Sequence, residues 1–440
     1  MKKVVAIIWY LQVLILCTMA QQKPVLLQHV RVIDGNGGYP KEETNVLIEG
    51  DRFSTIGANI QAKDATVINM KGKTIMPVLI SAHTHIGNLK GTQTNPINYT
   101  RENITRHLEH YQRYGIGAVL CMGTDRPLIF DGFRDSSVAA QLPGARMYSA
   151  GFGFGMPGSP PGAAFGFDKP FTSADDPEIE KQITTLAALQ PAVVKIWVDD
   201  FGGSVKKMPE DVYKAIIRAA HKHGIRVAAH LYYLEDAHKL IDAGIDIIAH
   251  SIRDKEVDES LLKKMKDKHI VYIPTLARDE FEWVYADEPG WLKDDFFKNS
   301  LEPGVYEMIT SKEYKDKMKN APAYERARQG LKIAFINLKK IHDAGIIVAM
   351  GTDSGATPAR AEGFAEHLEM ELMVQAGLTP LQAITVSTKN PAILLQCNTL
   401  YGSIEKGKKA DFIVLSKNPQ SNILNTRSIE AVWKNGKPVQ

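Results

Sequence analysis

Apolar and polar positions alternate along this chain in two rhythms. Between residues 25 and 75, short runs such as Val25-Leu26-Leu27, Val30-Arg31-Val32-Ile33 and Asn45-Val46-Leu47-Ile48-Glu49 are broken by Asp34-Gly35-Asn36-Gly37-Gly38 and Gly50-Asp51. Strand-length apolar runs set between glycine and aspartate clusters predict β-strands joined by tight turns. Over residues 74–353 the rhythm changes to strand, loop, helix, repeated. Apolar runs near 77–83, 117–123, 146–151, 192–198, 226–232, 246–251, 270–276 and 346–351 predict strands. Amphipathic stretches at 209–223, 234–243 and 257–268 predict helices between them.

Arg226-Val227-Ala228-Ala229-His230 and Asp246-Ile247-Ile248-Ala249-His250 are apolar almost without a break, as a parallel strand covered on both faces must be. Eight such units predict an α/β fold, a (β/α)8 TIM-like barrel, which takes about 250 residues or more. Helical segments at 364–376 and 380–397 then lead into Ile404-Glu405-Lys406-Gly407-Lys408-Lys409-Ala410-Asp411 and further short strands and turns. This tail is expected to return to the N-terminal strands, so that both termini build one small β-sandwich domain. The boundaries are 21–75 and 399–440 for the two parts of the sandwich and 76–398 for the barrel.

Two connections exceed simple joints. Residues 151–169 are rich in Gly, Pro and Phe, and residues 286–323 are polar, charged and aromatic. Long segments on the rim of a barrel are expected to act as lids.

The first twenty residues differ from the rest. Met1-Lys2-Lys3 is a short positive start, residues 4–17 are almost wholly apolar, and Thr18-Met19-Ala20 places small residues where a signal peptidase reads. The stretch falls short of the roughly 20 apolar residues of a membrane span and contains Gln12. Residues 1–20 are therefore expected to be a signal peptide, with the mature protein exported, periplasmic or secreted, and free of the membrane. A lipoprotein site at Cys17 is disfavoured by the bulky Leu16 before it.

Composition adds exclusions. The 440 residues are 44% hydrophobic and 23% charged with a formal net charge of +3, and losing Lys2 and Lys3 brings that nearer neutrality. Such a balance gives no reason to expect a nucleic-acid partner. Cys121 and Cys397 both sit in apolar contexts, which points to buried packing and away from thiol catalysis.

The candidate chemistry lies at the strand ends. His83 and His85 stand two apart in Pro77-Val78-Leu79-Ile80-Ser81-Ala82-His83-Thr84-His85, a spacing that aims both imidazoles one way on a strand. Lys195, His230, His250 and Asp353 lie in or close four other apolar runs. The C-terminal ends of barrel strands meet at one mouth, so these six groups can surround a small volume. Histidine nitrogen with carboxylate oxygen suits zinc, manganese, iron or cobalt. Lys195 is a single cation inside Ala192-Val193-Val194-Lys195-Ile196-Trp197-Val198, where a buried ammonium is costly. It is either a neutral or ion-paired structural lysine, or it adds carbon dioxide and becomes a carbamate able to bridge two metals.

Taken together, His83-Thr84-His85, Val194-Lys195-Ile196, Ala228-Ala229-His230, Ile248-Ala249-His250-Ser251, Gly351-Thr352-Asp353-Ser354-Gly355 and the 404–411 tail resemble the amidohydrolase superfamily. Within it they resemble the imidazolonepropionase-like and metal-dependent dipeptidase (prolidase-like) group. The resemblance implies that His83, His85 and Asp353 hold one divalent ion, with zinc the leading choice. His230 and His250 would hold a second, with carboxylated Lys195 between. It further implies a bridging hydroxide that attacks a carbonyl, with Asp353 carrying the proton to the leaving amine. Family habit suggests a homo-oligomer. The chain departs from the family pattern at Val78 and Ser81, where glycine and aspartate are usual, and at Gly151-Phe152-Gly153-Phe154-Gly155, where the dipeptidase-like group often has a His-rich loop.

The substrate side rests on weaker signals. Tyr232 shares the inward face of His230 and could meet a substrate carboxylate or tetrahedral oxygen. Arg253 and Arg278 follow strands six and seven and could bind a free carboxylate, or pair with Asp254 or Asp279. Phe152 and Phe154 could wall an apolar pocket or simply pack their loop. His107, His110, His221, His223, His238 and His342 fall in helical segments and are expected on the exterior, and His367 on a helix face. The function expected is an amide hydrolase acting on a small substrate such as a dipeptide or N-acyl amino acid. The alternatives are a mononuclear cyclic-amide hydrolase or deaminase, and a non-catalytic scaffold. Deaminases of the superfamily often carry Glu three residues after the strand-five histidine, where this chain has Tyr233, and a scaffold would not need all six ligands.

Overall fold

The computed structural model describes residues 23–161, 171–172 and 174–439. The expected signal peptide lies outside the described residues, as does part of the 151–169 loop. Strands β1 (Val25–Val32), β2 (Lys41–Glu49), β3 (Arg52–Gly57), β4 (Thr66–Asn69) and β5 (Thr74–Pro77) open the chain. They are short and turn-bounded, as the broken apolar runs require. β6 (Leu79–Thr84) follows, then a hairpin of β7 (Leu89–Lys90) and β8 (Gln93–Thr94), then β9 (Ile116–Cys121) and β10 (Arg146–Ser149). The next five are β11 (Val194–Trp197), β12 (Val227–His230), β13 (Ile247–Ala249), β14 (Val271–Ile273) and β15 (Ile347–Val348). β16 (Phe412–Leu415), β17 (Ile429–Lys434) and β18 (Lys437–Pro438) end it.

The terminal strands join one mixed eight-stranded sheet in the order β18-β17-β16-β5-β1-β2-β3, with β4 beside β1. The C-terminal tail thus returns to the N-terminal strands, with β16 antiparallel to β5. The parallel strands form two arcs, β10-β9-β6 and β11-β12-β13-β14-β15. Backbone hydrogen bonds cross both gaps between the arcs. On one side Phe154 N–H donates to Lys195 O at 2.8 Å and Trp197 N–H to Phe154 O at 2.9 Å. On the other, Ala82 N–H donates to Met350 O at 2.7 Å and Thr352 N–H to His83 O at 3.1 Å. Gly351 makes that second approach close: a Cβ there would stand 2.7 Å from the His83 Cβ. Residues from the parallel strands and their ends, including Ile80, Leu120, Ala228, Ile247 and Ala349, share one buried cluster.

Helices fill the connections where the 3.6-residue pattern places them, at Glu210–Lys222, Leu234–Ala243 and Glu259–Asp267. The expected 380–397 helix is two, Pro380–Ser387 and Lys389–Leu394, because Thr388 between them leaves helical geometry at φ −130°. The 286–323 segment is folded. Short helices pack Tyr285, Trp291 and Phe297 into an aromatic group with Phe364, and the segment ends in the long helix Ala323–Asp343. Among the described residues the two cysteines, Cys121 and Cys397, are buried and unbridged. Among the described residues no helix is long and apolar enough to cross a membrane.

Candidate active site

Five strand ends bring the candidate ligands together. Between Ser81 and Thr84, β6 slips one residue against β9. Such a bulge re-aims side chains, and here Ala82 joins the buried cluster while its neighbour His83 faces His250. One oxygen, Oδ1 of Asp353, lies 3.3 Å from His83 Nε2 and 2.7 Å from His85 Nε2. The rings of His83 and His250 are 4.5 Å apart, and those of His250 and His230 are 4.3 Å apart. Ligand atoms of His83, His250 and Asp353 all lie within 4.8 Å of one another. His85 joins this group through Asp353 and His230 through His250. His250, expected to serve only the second metal, therefore stands beside ligands of both.

Two of these residues hold backbone angles that side chains rarely adopt, φ 81° at His250 and φ 57° at Asp353. Such strain persists where surroundings over-determine it; Asp353 N–H is tied to His83 O and His250 N–H to Ile273 O, both at 2.8 Å. Outer partners fix the rings. His85 Nδ1 meets Thr124 Oγ1 at 2.7 Å and His250 Nδ1 meets Thr275 Oγ1 at 2.8 Å. Such contacts orient metal-binding imidazoles and set which nitrogen is free to ligate.

Lys195 is fully buried, and its Nζ has no hydrogen-bond partner among the described residues. Burial draws its pKa down to about 7, with the Asp353 carboxylate opposing the shift. Burial, together with the Lys195 charge, also lowers His83 to about 3. His230 falls to about 4, again through burial first, and His250 falls well below its ordinary value. The imidazoles are thus held neutral, the form that ligates a metal. Asp353 is held well below the usual carboxylate range: burial would raise it, but Arg360 and the two histidines outweigh that. Buried neutral imidazoles, an ionised carboxylate and an orphaned amine fit a divalent-metal site.

The arginines expected to read substrate are committed elsewhere. Arg253 is 4% exposed and bonds Asp279 at 2.5 Å. Arg278 bonds the same carboxylate at 2.7 Å, with its Nε 3.8 Å from Asp353 Oδ2. Of the two acids weighed at the sequence level, Asp279 is the partner of both. Asp254 instead accepts from Leu234 N–H. Tyr232 lines a cavity of about 160 Å³ beside the cage, together with Asp199, Arg253, Arg278, Glu282 and Arg326. Phe154 is 1% exposed and packs on Phe171 as part of the core, lining neither the cavity beside the cage nor the larger one by Ala192 and Arg226. Phe152 packs between Phe130 and Phe171.

Several contributors carry no signal in sequence. Arg360 bonds Asp353 Oδ2 through Nη1 and Glu282 at 2.6 Å through Nη2. Asp199, four residues beyond Lys195, lies 3.5 Å from His230 Nε2. Ser81, Thr352 and Ser354 all donate to Glu366 Oε1, at 3.0, 2.6 and 2.9 Å. A carboxylate from the following helix thus meets Ser81, where the family usually has aspartate. His107 and His110 are not exterior. His107 is fully buried against Glu362 at 2.7 Å, and His110 bonds Glu362 O. His367 is likewise buried, bonding Tyr114 O and Thr426. His221 and His238 pair with Asp246 and Asp258 near the surface, as expected of exterior helices.

A larger cavity of about 480 Å³ opens at the opposite ends of β11 and β12, by Ala192 and Arg226, and no cage residue lines it.

Residues 74–439 match the model of the amidohydrolase family. The chain belongs to the amidohydrolase family. The chain spans about a quarter of the length of the curated relatives it matches. An imidazolonepropionase from Christiangramia forsetii is 33% identical to this amidohydrolase over 113 residues, which span 24% of this chain and 27% of the relative. Among solved structures, a Xaa-Pro dipeptidase with methionine bound in its active site superposes with a TM-score of 0.74 at 23% identity, covering 95% of this chain and all of that one. Molinate hydrolase superposes at 0.73 and 20% identity, covering 96% and 95%. At these identities the likeness is one of fold.

Proposed function

We propose that this amidohydrolase is an exported, binuclear-metal enzyme that cleaves an amide C–N bond in a small substrate, a dipeptide or N-acyl amino acid. The observation that carries the reading is the convergence of four histidines and Asp353 around the unpartnered amine of Lys195. Held by His83, His85 and Asp353 on one side and by His230 and His250 on the other, with carboxylated Lys195 between, two divalent ions, zinc first among them, would supply an activated water and polarise the scissile carbonyl.

The protein's own groups do the rest. Burial draws the Lys195 pKa down to about 7, which favours the neutral amine, the form that adds carbon dioxide. Asp353 takes the proton of the attacking water and returns it to the leaving nitrogen. Arg360 keeps that carboxylate ionised, which makes it a weak base that passes its proton on readily. Arg253 and Arg278, bound to Asp279, brace the wall beside Asp353, and the Tyr232 hydroxyl, which meets Arg326, is placed to reach the tetrahedral oxygen or a substrate carboxylate. The cavity of about 160 Å³ lies below the ~300–1,000 Å³ of drug-sized sites, which suits a small substrate. The dipeptidase of like fold, with methionine bound in its active site, supports an amino-acid-sized ligand.

The same reading takes the two arcs as one closed (β/α)8 barrel over residues 76–398, supported by the hydrogen bonds across both gaps. It takes the terminal sheet, residues 21–75 and 399–440, as the β-sandwich. Export rests on residues 1–20 alone.

A mononuclear cyclic-amide hydrolase is the second reading, favoured by the tightness of the His83, His250 and Asp353 group and by the imidazolonepropionase match. Such a site has no need of Lys195. Screening metal-loaded protein against dipeptides, N-acyl amino acids and cyclic amides decides between them. Asp353→Asn is expected to keep the fold and lose about 10²–10⁴-fold in turnover of whichever substrate responds. Unimpaired turnover in that variant contradicts the proton-carrying role.

A further inference from the structure

The 160 Å³ cavity touches the cage at two points. Asp199 on its wall lies 3.5 Å from His230, and Arg278 lies 3.8 Å from Asp353. Three arginines line it, and their commitments differ. Arg253 and Arg278 share the Asp279 carboxylate, and Arg278 also faces Glu282 at 3.9 Å and Asp353 at 3.8 Å. Arg326 has no carboxylate within ion-pair distance among the described residues. Its close contacts are with neutral groups: the guanidinium lies 4.0 Å over the Tyr232 ring and bonds the Tyr232 side chain, and Nη2 donates to the Tyr233 hydroxyl at 3.4 Å, while the Asp199 carboxylate acts on it from beyond ion-pair distance.

Its position is built. Arg326 rises from the first turns of the helix Ala323–Asp343, which the 286–323 insertion delivers to the mouth. Opposite it, Gly202 at φ +76° leaves room for the guanidinium, where a Cβ would stand 2.1 Å from Nη1. Stacking on an aromatic face orients the planar fork and leaves its edge for an anion. Side-chain entropy is then spent before the ligand arrives.

We propose that Arg326 is the specificity-determining residue that reads the free carboxylate of the substrate, in place of Arg253 and Arg278. The assignment rests on the proposed class of substrate, an amide bearing a carboxylate, and deepens it. Its consequence is that this enzyme discriminates acids from their neutral counterparts through one residue on the inserted segment, while the strand-end arginines hold the wall.

Calorimetric titration of zinc-loaded enzyme tests this without turnover. The probes are N-methanesulfonyl leucine, phenylalanine and proline, whose sulfonamide bond carries no scissile carbonyl, each against the corresponding alcohol that lacks the carboxylate. Wild type is expected to bind at least one acid about ten- to a hundredfold more tightly than its alcohol, as a charge-assisted hydrogen bond provides. Arg326→Met should lose that preference with alcohol binding and melting temperature unchanged, and Arg326→Lys should keep part of it. Three results overturn the assignment: no preference for acid in wild type, a preference that survives in Arg326→Met, or equal loss of acid and alcohol in that variant. Because nothing is hydrolysed, failure of the amide-hydrolase reading shows separately, as absence of turnover in the substrate screen.

Discussion

Lys195 shows how one side chain can set the character of a site. Its ammonium is fully buried with no acceptor of its own, and it acts by charge on His83, His230 and His250 alike. A permanent cation there would oppose metal binding, whereas a carbamate would favour it. Lys195→Ala is therefore expected to fold and yet to lose binuclear loading, with partial recovery when short carboxylic acids such as acetate or propionate are added. Metal content measured with and without the acid checks this, and full loading of the unsupplemented variant counts against a bridging lysine. Asp353 plays the complementary part. Its Oδ1 faces His83 and His85, and its Oδ2 faces Arg360, so one carboxylate connects the cage to the ion pairs of the mouth.

Elements matter here through the ends they present. The β6 bulge turns His83 toward His250, and the segment after β15 runs close enough to bond His83 O from both Thr352 and Asp353. Glu366, on the helix Phe364–Gln375, fixes this junction by accepting three hydroxyls on one oxygen and Gly363 N–H on the other. Glu366→Ala would leave buried hydroxyls without an acceptor. The expected loss is about 1–3 kcal/mol of stability for each unsatisfied group, with metal affinity weakened about 10–100-fold. Thermal melting and zinc titration against a chelator check the two effects, and an unchanged zinc affinity would remove Glu366 from the positioning role.

Strand ends were legible because the ligands themselves interrupt apolar runs; His230 and His250 each close one. The supporting residues were not. Glu366 and Arg360 read as ordinary helix and loop charges until distant segments meet. His107 stands at the spacing of Ile104, Leu108 and Tyr111 on the buried face of its helix, so its burial was legible, whereas its partner Glu362, 255 residues on, was not. For Phe154 the sequence left a pocket wall and loop packing equally open; Gly153 beside it lets the backbone bond along β11, where a Cβ would stand 3.2 Å from Lys195 O.

On the scale of the whole molecule, the terminal sheet is fastened to the parallel strands by a buried ion pair. Arg146 at the start of β10 bonds Asp411 just before β16, and Asn435 at 2.9 Å, with Tyr401 under its guanidinium at 4.3 Å. Removing one partner of a buried pair leaves an uncompensated charge, so Arg146→Ala should cost about 3–5 kcal/mol. Denaturant unfolding measures it, and a loss within the scatter of surface substitutions would mean that the two parts are held by apolar contact alone.

A cage for two cations is the claim on which the catalytic reading stands. Its most direct measure is the metal content of purified, zinc-supplemented wild-type protein by inductively coupled plasma mass spectrometry. About two equivalents per chain are expected, falling to one or fewer in Lys195→Ala; no more than trace metal in the wild type would contradict it.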